Sequence, residues 1–334
     1  MDDIDRKLLM LMVADPRIHL RELATKLGIS KQAVHRRMEA LKEIGVIQST
    51  TAGISYPYLD AVPVAVFGTA RTAPGEKVLH GLGESEFTRR VVVAGGNYLY
   101  VVGELREISE LDSYAEFVKR AAEMLDPTVG IYCLDDELWS DYPVDGIVTR
   151  KQSYRELSPL DLRIIASIKD DARKPVAAIA SMIGTSPKTV RRHLEHMISE
   201  GSLELHTRTD SYLCGDLCLI GHVSVREGSN KAEVAKRLLS KHQFQEAYFR
   251  TYLNLPGFLM LVFWSDKIAE IREVIRQIGE DKDVMSVMMN FSYLQRMYTT
   301  WRDKLPEIQM RHSTKAGERS PHSRLRAQQS KSMS

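Results

Sequence analysis

The sequence predicts an α+β chain built twice over: a three-helix unit, then a β-α-β-β-α-β unit, then both again. Three observations carry this expectation. Shifted by 156 residues, positions 2–47 lie on 158–203 without a gap and with ten identities, including Asp5/Asp161, Asp15/Asp171, Arg17/Arg173, Gly28/Gly184, Ser30/Ser186, Val34/Val190, Arg36/Arg192 and Gly45/Gly201. The apolar positions of that stretch recur at helical spacing in both copies, as in Leu8/Ile164, Leu23/Ile179, Leu27/Ile183 and Leu41/Met197. Each copy is followed by strand-like runs rich in Val and Ile, interleaved with helical stretches. A period this long marks domain duplication and not a solenoid.

Within the first copy, a helix is predicted from about Asp3 to Ala14, with Ile4, Leu8 and Leu11 on one face. Leu20, Leu23, Ala24 and Leu27 line a second helix, which Gly28 ends as a C′ glycine. Ser30 is the expected N-cap of the third helix; its counterpart Ser186 precedes Pro187, suited to a first helical position. Gly45 and Gly201 end the third helices, and the short corner before each has helix-turn-helix spacing. Strands follow at 61–70 and 216–226, helices at Glu76–Leu82 and Lys231–Ser240, and paired strands within 88–105 and 246–264. Second helices are expected at Ile108–Leu125 and Lys267–Gly279, and last strands at Val129–Asp135 and Val284–Tyr293. The order is ferredoxin-like. The expected division is therefore winged helix-turn-helix units at 1–52 and 155–208, ferredoxin-like units at 58–140 and 213–300, a bridge at 136–157, and a disordered basic tail over 306–334.

Composition narrows the class. With 334 residues, 43% hydrophobic and 27% charged, the chain suits two to four modules. The net charge is +2, but Arg311 to Ser334 carry six Lys/Arg against one Glu, +5, leaving −3 for the rest. Nucleic-acid contact must then come from local arrangement on a helix. Three cysteines suggest no disulfide framework. The longest apolar runs, such as Phe258–Trp264, are too short to cross a bilayer, and MDDIDRKLL lacks a signal-peptide core, so a cytoplasmic protein with no membrane partner is expected. No Walker loop, dinucleotide fingerprint or nucleophile elbow appears. Cys214, Cys218 and His222 lack zinc-knuckle spacing and read as core, so no metal is expected.

Placing Val34, Met38 and Leu41 inward turns Gln32 and Arg36 outward at about 100° per residue, with His35 on the flank. In the second copy Lys188 and Arg192 point out, flanked by Arg191. A helix of this build can lie in a major groove, its first residues meeting base edges. The candidate DNA-binding residues are Ser30, Lys31, Gln32, His35 and Arg36, and Ser186, Lys188, Thr189, Arg191 and Arg192, the helix starts holding phosphate through free backbone N–H groups. The competing reading is two amphipathic helices with solvated polar faces.

The first copy resembles the N-terminal domain of the Lrp/AsnC (feast/famine) transcription regulators: Asp5 with Leu8 and Leu9, Asp15-x-Arg17, Ala24, Leu27-Gly28, Ser30, Val34, Arg37, Leu41 and Gly45-Val46-Ile47 sit at that family's spacing. Residues 2–135 carry the resemblance well and 158–295 more loosely. It implies a sequence-specific, double-stranded-DNA-binding regulator, not an enzyme and without a cofactor, that assembles as a homo-oligomer, a dimer of pseudo-dimeric chains. It also implies a small-molecule effector at the glycine turn Gly95, Gly96, Asn97 and Tyr98 and at Gly257, a turn that a plain hairpin equally explains. Leu99 and Leu259 stand where the family turn commonly carries an acidic residue. Some proteins resembling this family are instead haem-pathway decarboxylases that bind a tetrapyrrole between the modules, for which Arg89, Arg90, His222 and Arg250 are the candidates here. A protein- or RNA-interaction module is the third alternative.

Overall fold

The computed structural model describes residues 1–133, 155–214, 217–242, 247–265 and 267–307. Most of the expected bridge and nearly all of the expected tail lie outside the described residues.

Both helix-turn-helix units form as their caps dictate. In α1 (Asp3–Ala14) Asp2 and Asp5 make a reciprocal capping box, and in α7 (Pro159–Ile168) Ser158 and Asp161 do the same. Helices α2 (Leu20–Leu27) and α8 (Val176–Ile183) end at Gly28 and Gly184, both at φ +66, a left-handed backbone that favours glycine. Helices α3 (Lys31–Glu43) and α9 (Pro187–Glu200) start where Ser30 and Ser186 accept the backbone N–H of Ala33 and Thr189, each at 3.1 Å. Leu8, Met12, Leu23, Val34, Met38 and Leu41 close the first core.

The strand after each unit does not fold back on its own helices alone. β1 (Ile47–Ile54) and β6 (Leu203–Thr209) pair with each other, antiparallel, from Ser49↔Arg208 to Ile54↔Leu203. Ala52 and Ile54 of β1 enter the core of the second unit beside Ile164, Ile165 and Ile179. The two wings therefore cross-brace the units.

After the short α4 (Tyr56–Leu59), the first ferredoxin-like half runs β2 (Val62–Thr69), α5 (Glu76–Gly83), β3 (Thr88–Ala94), β4 (Tyr98–Leu105), α6 (Leu111–Ala121) and β5 (Thr128–Ile131). The second runs β7 (Leu217–Val225), α10 (Lys231–His242), β8 (Ala247–Thr251), β9 (Phe258–Ser265), α11 (Ile268–Gly279) and β10 (Val284–Met297). Glu123, at φ +50, turns the chain just past α6, short of the expected Leu125, and β10 runs on to Met297 instead of stopping at Tyr293. That extension has a cause: residues 294–297 pair with β3, joining the halves into one eight-stranded sheet, β5-β2-β4-β3-β10-β7-β9-β8.

The free ends of this sheet meet. Tyr132 bridges Tyr252, with Leu253 N–H on Ile131 O at 2.8 Å and Cys133 N–H on Thr251 O at 3.0 Å. The sheet thus curls upon itself. Its outer faces pack separately on their own helices, through Val91, Val101 and Tyr114 in one half and Leu219, Leu261 and Ile278 in the other. The inner face is shared: Phe67, Val92, Tyr100, Tyr132, Ile220, Tyr252 and Met260 form one core between the halves. A helix over 301–307 then crosses back to the wings.

Candidate functional site

The third helices stand as the sequence predicts. Lys31, Gln32, His35 and Arg36 are exposed, as are Ser30, Ser186, Lys188, Arg191 and Arg192, with Thr189 half-buried; Val34, Met38, Val190 and Leu194 face inward. Arg37 is not among the outward residues: it bonds Asp2 and Asp5 of α1 at 2.7 and 2.6 Å, and these contacts raise its pKa. In the second unit His193 takes the same place, its Nδ1 2.7 Å from Asp161.

The densest cationic cluster lies elsewhere, where the wings meet the curled sheet. A cavity of about 140 Å³ there is lined by Arg89, Arg90, Arg208, Arg250 and Arg302, with His206, Tyr56, Tyr132 and Gln295. A second cavity of about 60 Å³ shares Arg90, Val102, Tyr132, Arg250 and Gln295 with it and continues inward between Tyr100, Tyr212, Met260 and Trp264. Together they make a polar, arginine-lined mouth leading to an aromatic slot. Arg250 stacks over Tyr132 at 5.2 Å and Arg302 over Tyr56 at 3.8 Å.

A buried ionic network holds the mouth in shape. Glu104, fully buried on β4, receives Arg302 at 3.1 Å, Arg89 at 3.3 Å, the Tyr56 hydroxyl at 2.6 Å and the Thr300 hydroxyl. Arg302 also reaches Glu204 on β6 at 2.8 Å and Ile54 O on β1 at 3.1 Å, so one guanidinium ties both wings to the sheet. Arg89 reaches Asp303 at 2.7 Å. Burial alone would push the Glu104 carboxyl up, but Arg302 and Arg89 outweigh it and bring its pKa down to about 2. Arg208 is pulled below the ordinary arginine value by burial, and further by the nearby positive Arg89. Among the described residues Arg89, Arg208 and Arg302 meet three carboxylates, Glu104, Glu204 and Asp303. Among the described residues the Nε atoms of Arg208 and Arg302 are buried without a hydrogen-bond partner, and His206 Nε2 lies 3.4 Å from Glu204 without bonding it.

Of the four tetrapyrrole candidates, Arg89, Arg90 and Arg250 converge on the mouth. His222 does not. It sits in the inner core among Phe67, Tyr98, Tyr100 and Phe258, its Nε2 2.8 Å from the Tyr100 hydroxyl, which accepts from Asn290 at 2.6 Å. Burial lowers its pKa to about 4, keeping the ring neutral. The turn residues Gly95, Gly96, Asn97 and Tyr98, and Gly257, line neither cavity; Gly96 (φ +68) and Asn97 (φ +59) make a tight hairpin turn between β3 and β4. Sequence reasoning missed His206, Arg208 and Arg302. The first two had a faint signal: 156 residues earlier the repeat carries Thr50 and Ala52 instead. Arg302 lies past the repeat.

A family described as winged helix-turn-helix DNA-binding matches residues 1–48 and 157–203. The helix-turn-helix transcriptional regulator LrpA of Pyrococcus horikoshii is 34% identical over 100 residues, 29% of this chain and 70% of the relative. An uncharacterised helix-turn-helix transcriptional regulator of Pyrococcus furiosus is 36% identical over 77 residues, 23% of this chain; the match spans about half the length of that relative, 51%. The chain belongs to the Lrp/AsnC family, with the family's architecture duplicated. Over its whole length it has the fold of a crystal structure of the siroheme decarboxylase NirDL, with TM-score 0.53 and 13% identity, covering 93% of this chain and 100% of that one. A second structure of that decarboxylase, in complex with an iron-uroporphyrin III analogue, gives TM-score 0.52 at 14% identity over 92% of this chain and 98% of that one. The expectation of a chain that is not an enzyme is corrected by this full-length match to an enzyme's fold. The physical reason is visible in the cavity: its cations come from β3, β6, β8 and the 301–307 helix, too scattered to form a local motif. No helix among the described residues is long and apolar enough to cross a membrane.

Proposed function

We propose that the chain is an enzyme that decarboxylates a tetrapyrrole bearing several carboxylates, with the arginine-lined cavity as its site. One observation carries the reading: five arginines and His206 converge on a mouth that opens into an aromatic slot. That pairing suits a flat apolar ring with carboxylates on its rim. The full-length likeness in fold to a siroheme decarboxylase supports it. Loss of carbon dioxide breaks the bond to the carboxylate carbon, leaves its electron pair on the side-chain carbon, and is completed by one proton, so no oxidant is needed. Arginines hold and orient carboxylates that stay. The carboxylate that leaves belongs at the inner end of the slot, between Tyr100, Tyr212, Met260 and Trp264 and past Arg90 and Arg250, because an ion pair there would stabilise the ground state more than the transition state. His206, at the mouth and half-buried, is the proton donor. The test is anaerobic incubation of the purified chain with sirohaem, with products read by mass. Loss of carbon dioxide that Arg90→Ala with Arg250→Ala abolishes is the expected result; an unchanged substrate with no binding sinks the reading.

A second reading rests on a separate observation, the exposed cationic faces of α3 and α9. In it, Ser30, Lys31, Gln32, His35, Arg36, Ser186, Lys188, Thr189, Arg191 and Arg192 contact duplex DNA. Arg36→Ala with Arg192→Ala should weaken binding about ten-fold or more, and unchanged gel-shift affinity would contradict it.

A further inference from the structure

Beyond the wing ladder, the two helix-turn-helix units are clasped by a reciprocal pair. Arg17 and Arg173 are equivalent positions of the repeat. Arg17 donates through Nη1 to Ala172 O and through Nη2 to Lys174 O at 3.4 Å, while Arg173 donates to Pro16 O at 2.8 Å and Ile18 O at 2.7 Å. Each guanidinium thus holds the corner between the first two helices of the other unit. Burial lowers both pKa values; Arg173 lowers that of Arg17 further, and Asp15 and Asp171 oppose the shift, so both remain charged. Further ties run both ways: Ala52 N–H to Lys169 O at 3.1 Å, Ala172 N–H to Thr50 O at 2.8 Å, Asp210 N–H to Val46 O at 2.8 Å, and the Thr207 hydroxyl to Met12 O. The units form one braced body with a pseudo-twofold relation. Sliding one recognition helix relative to the other requires breaking this set.

The faces so fixed are not alike. Arg36 and Arg192 match, but Gln32 is replaced by Lys188 and His35 by Arg191, all exposed. Among the described residues none of Lys31, Arg36, Lys188, Arg191 or Arg192 has an ion-pair partner. The neighbouring Glu39 is engaged by Lys42 at 2.9 Å. Both faces are therefore complementary to a polyanion; the first presents Lys31 and Arg36 and the second Lys188, Arg191 and Arg192, one cation more.

We propose that a single chain, without a second copy, reads one duplex site made of two unequal half-sites at one fixed spacing. This inference rests on the DNA-binding reading above. Gln32 suits adenine, whose N6 and N7 it can bond together, whereas Lys188 and Arg191 suit guanine O6 and N7. The half-site under α9 is accordingly the more guanine-rich, and the shared arginines contact the same feature in both halves.

The experiment is selection of the full-length chain on a random duplex library, followed by binding measurements on spacing variants and native mass spectrometry of the complex. The expected motif is bipartite and non-palindromic, with one chain per site. Inserting about half a helical turn between its halves, roughly five base pairs, should lower affinity about ten-fold or more. Arg17→Ala with Arg173→Ala, which leaves the wing ladder and the backbone ties in place, should bind the parent site and lose part of that spacing penalty. Should that variant not fold, Lys188→Gln with Arg191→His, which alters only exposed side chains, should shift the selected motif toward a palindrome. A palindromic wild-type motif, indifference of the wild type to the insertion, or two chains per site overturns the inference and leaves DNA binding standing. No enrichment over bulk DNA overturns both.

Discussion

Replacing Glu104 with glutamine tests whether the mouth of the arginine cavity is held by one ionised carboxylate. Glu104 is fully buried, and its pKa falls from an ordinary 4.5 to about 2 on folding. A shift of that size corresponds to about 3 kcal/mol of stability contributed by the ionised form. The sign follows from the folded value lying below the unfolded one: the contribution is fully present above 4.5 and is lost as pH falls toward 2. In Glu104→Gln the neighbours are not left bare, since Arg302 keeps Glu204 and Arg89 keeps Asp303. The cost at neutral pH is then about 3 kcal/mol, the low end for breaking a buried pair from one side. Urea denaturation at neutral pH and through the acid limb measures both quantities. The variant should lie below wild type at neutral pH and show a shallower loss below 4.5. Equal midpoints with an unchanged acid limb would refute the network as described. Arg302→Met added to Glu104→Gln should deepen the loss, because it leaves the buried Glu204 carboxylate without its guanidinium.

Other consequences are equally direct. His222→Phe should flatten the loss of stability in the window from 6.5 down to about 4, where wild type is opposed by a buried ring that resists protonation; the full wild-type effect there is about 3 kcal/mol, read by thermal melting across that range. Gly103→Ala would place a methyl 2.3 Å from the Tyr114 ring, which packs against Phe87 and bonds Thr88, and should cost about 1–3 kcal/mol in urea. Arg208→Ala should leave the melting temperature near wild type yet weaken binding of a polycarboxylated porphyrin about ten-fold, read by fluorescence quenching. Equal affinity would remove Arg208 from the site.

The repeat and its helices were legible because they follow local rules. Ser30 and Ser186 cap, Gly28 and Gly184 stop, and the inward positions recur at helical spacing, so the outward faces could be placed residue by residue. The ferredoxin-like order was legible too, since Val-rich strands alternate with amphipathic helices. The pairing of β1 with β6 was not, because no local signal records which distant strand satisfies an edge. The cavity was half legible. Arg89, Arg90 and Arg250 were in view as arginines on strands, but their convergence depends on β10 joining β3 and on Tyr132 meeting Tyr252. His222 had two readings, core residue and tetrapyrrole ligand, and the curled sheet decides for the core by enclosing it in aromatic rings.

The asymmetry of the cavity explains what a fused chain can do that two identical subunits cannot. Arg90 of β3 lies opposite Val102, four residues past Tyr98, whereas Arg250 of β8 lies opposite Met260, two residues past Phe258, so even these two arginines hold different registers in the two halves. The other cations are unmatched. Thr50 and Ala52 stand at the positions equivalent to His206 and Arg208, and Arg302 follows the last strand. A symmetric dimer carrying His206 and Arg208 would carry each twice, together with its carboxylates, and would set the same charges on both sides of the cavity. Fusion let one copy keep apolar or neutral residues where the other acquired charge. The result is a mouth cationic enough for a polycarboxylate on one side and a slot apolar enough for its ring on the other. The same freedom separates the recognition helices, where Gln32 and His35 face Lys188 and Arg191. Restoring symmetry is therefore the sharpest perturbation. His206→Thr with Arg208→Ala, which gives the second wing the residues of the first, should reduce porphyrin affinity about ten-fold while leaving Arg302 paired with Glu104 and Glu204. Unchanged porphyrin affinity in that pair would mean that the unequal charge of the two wings has no part in binding.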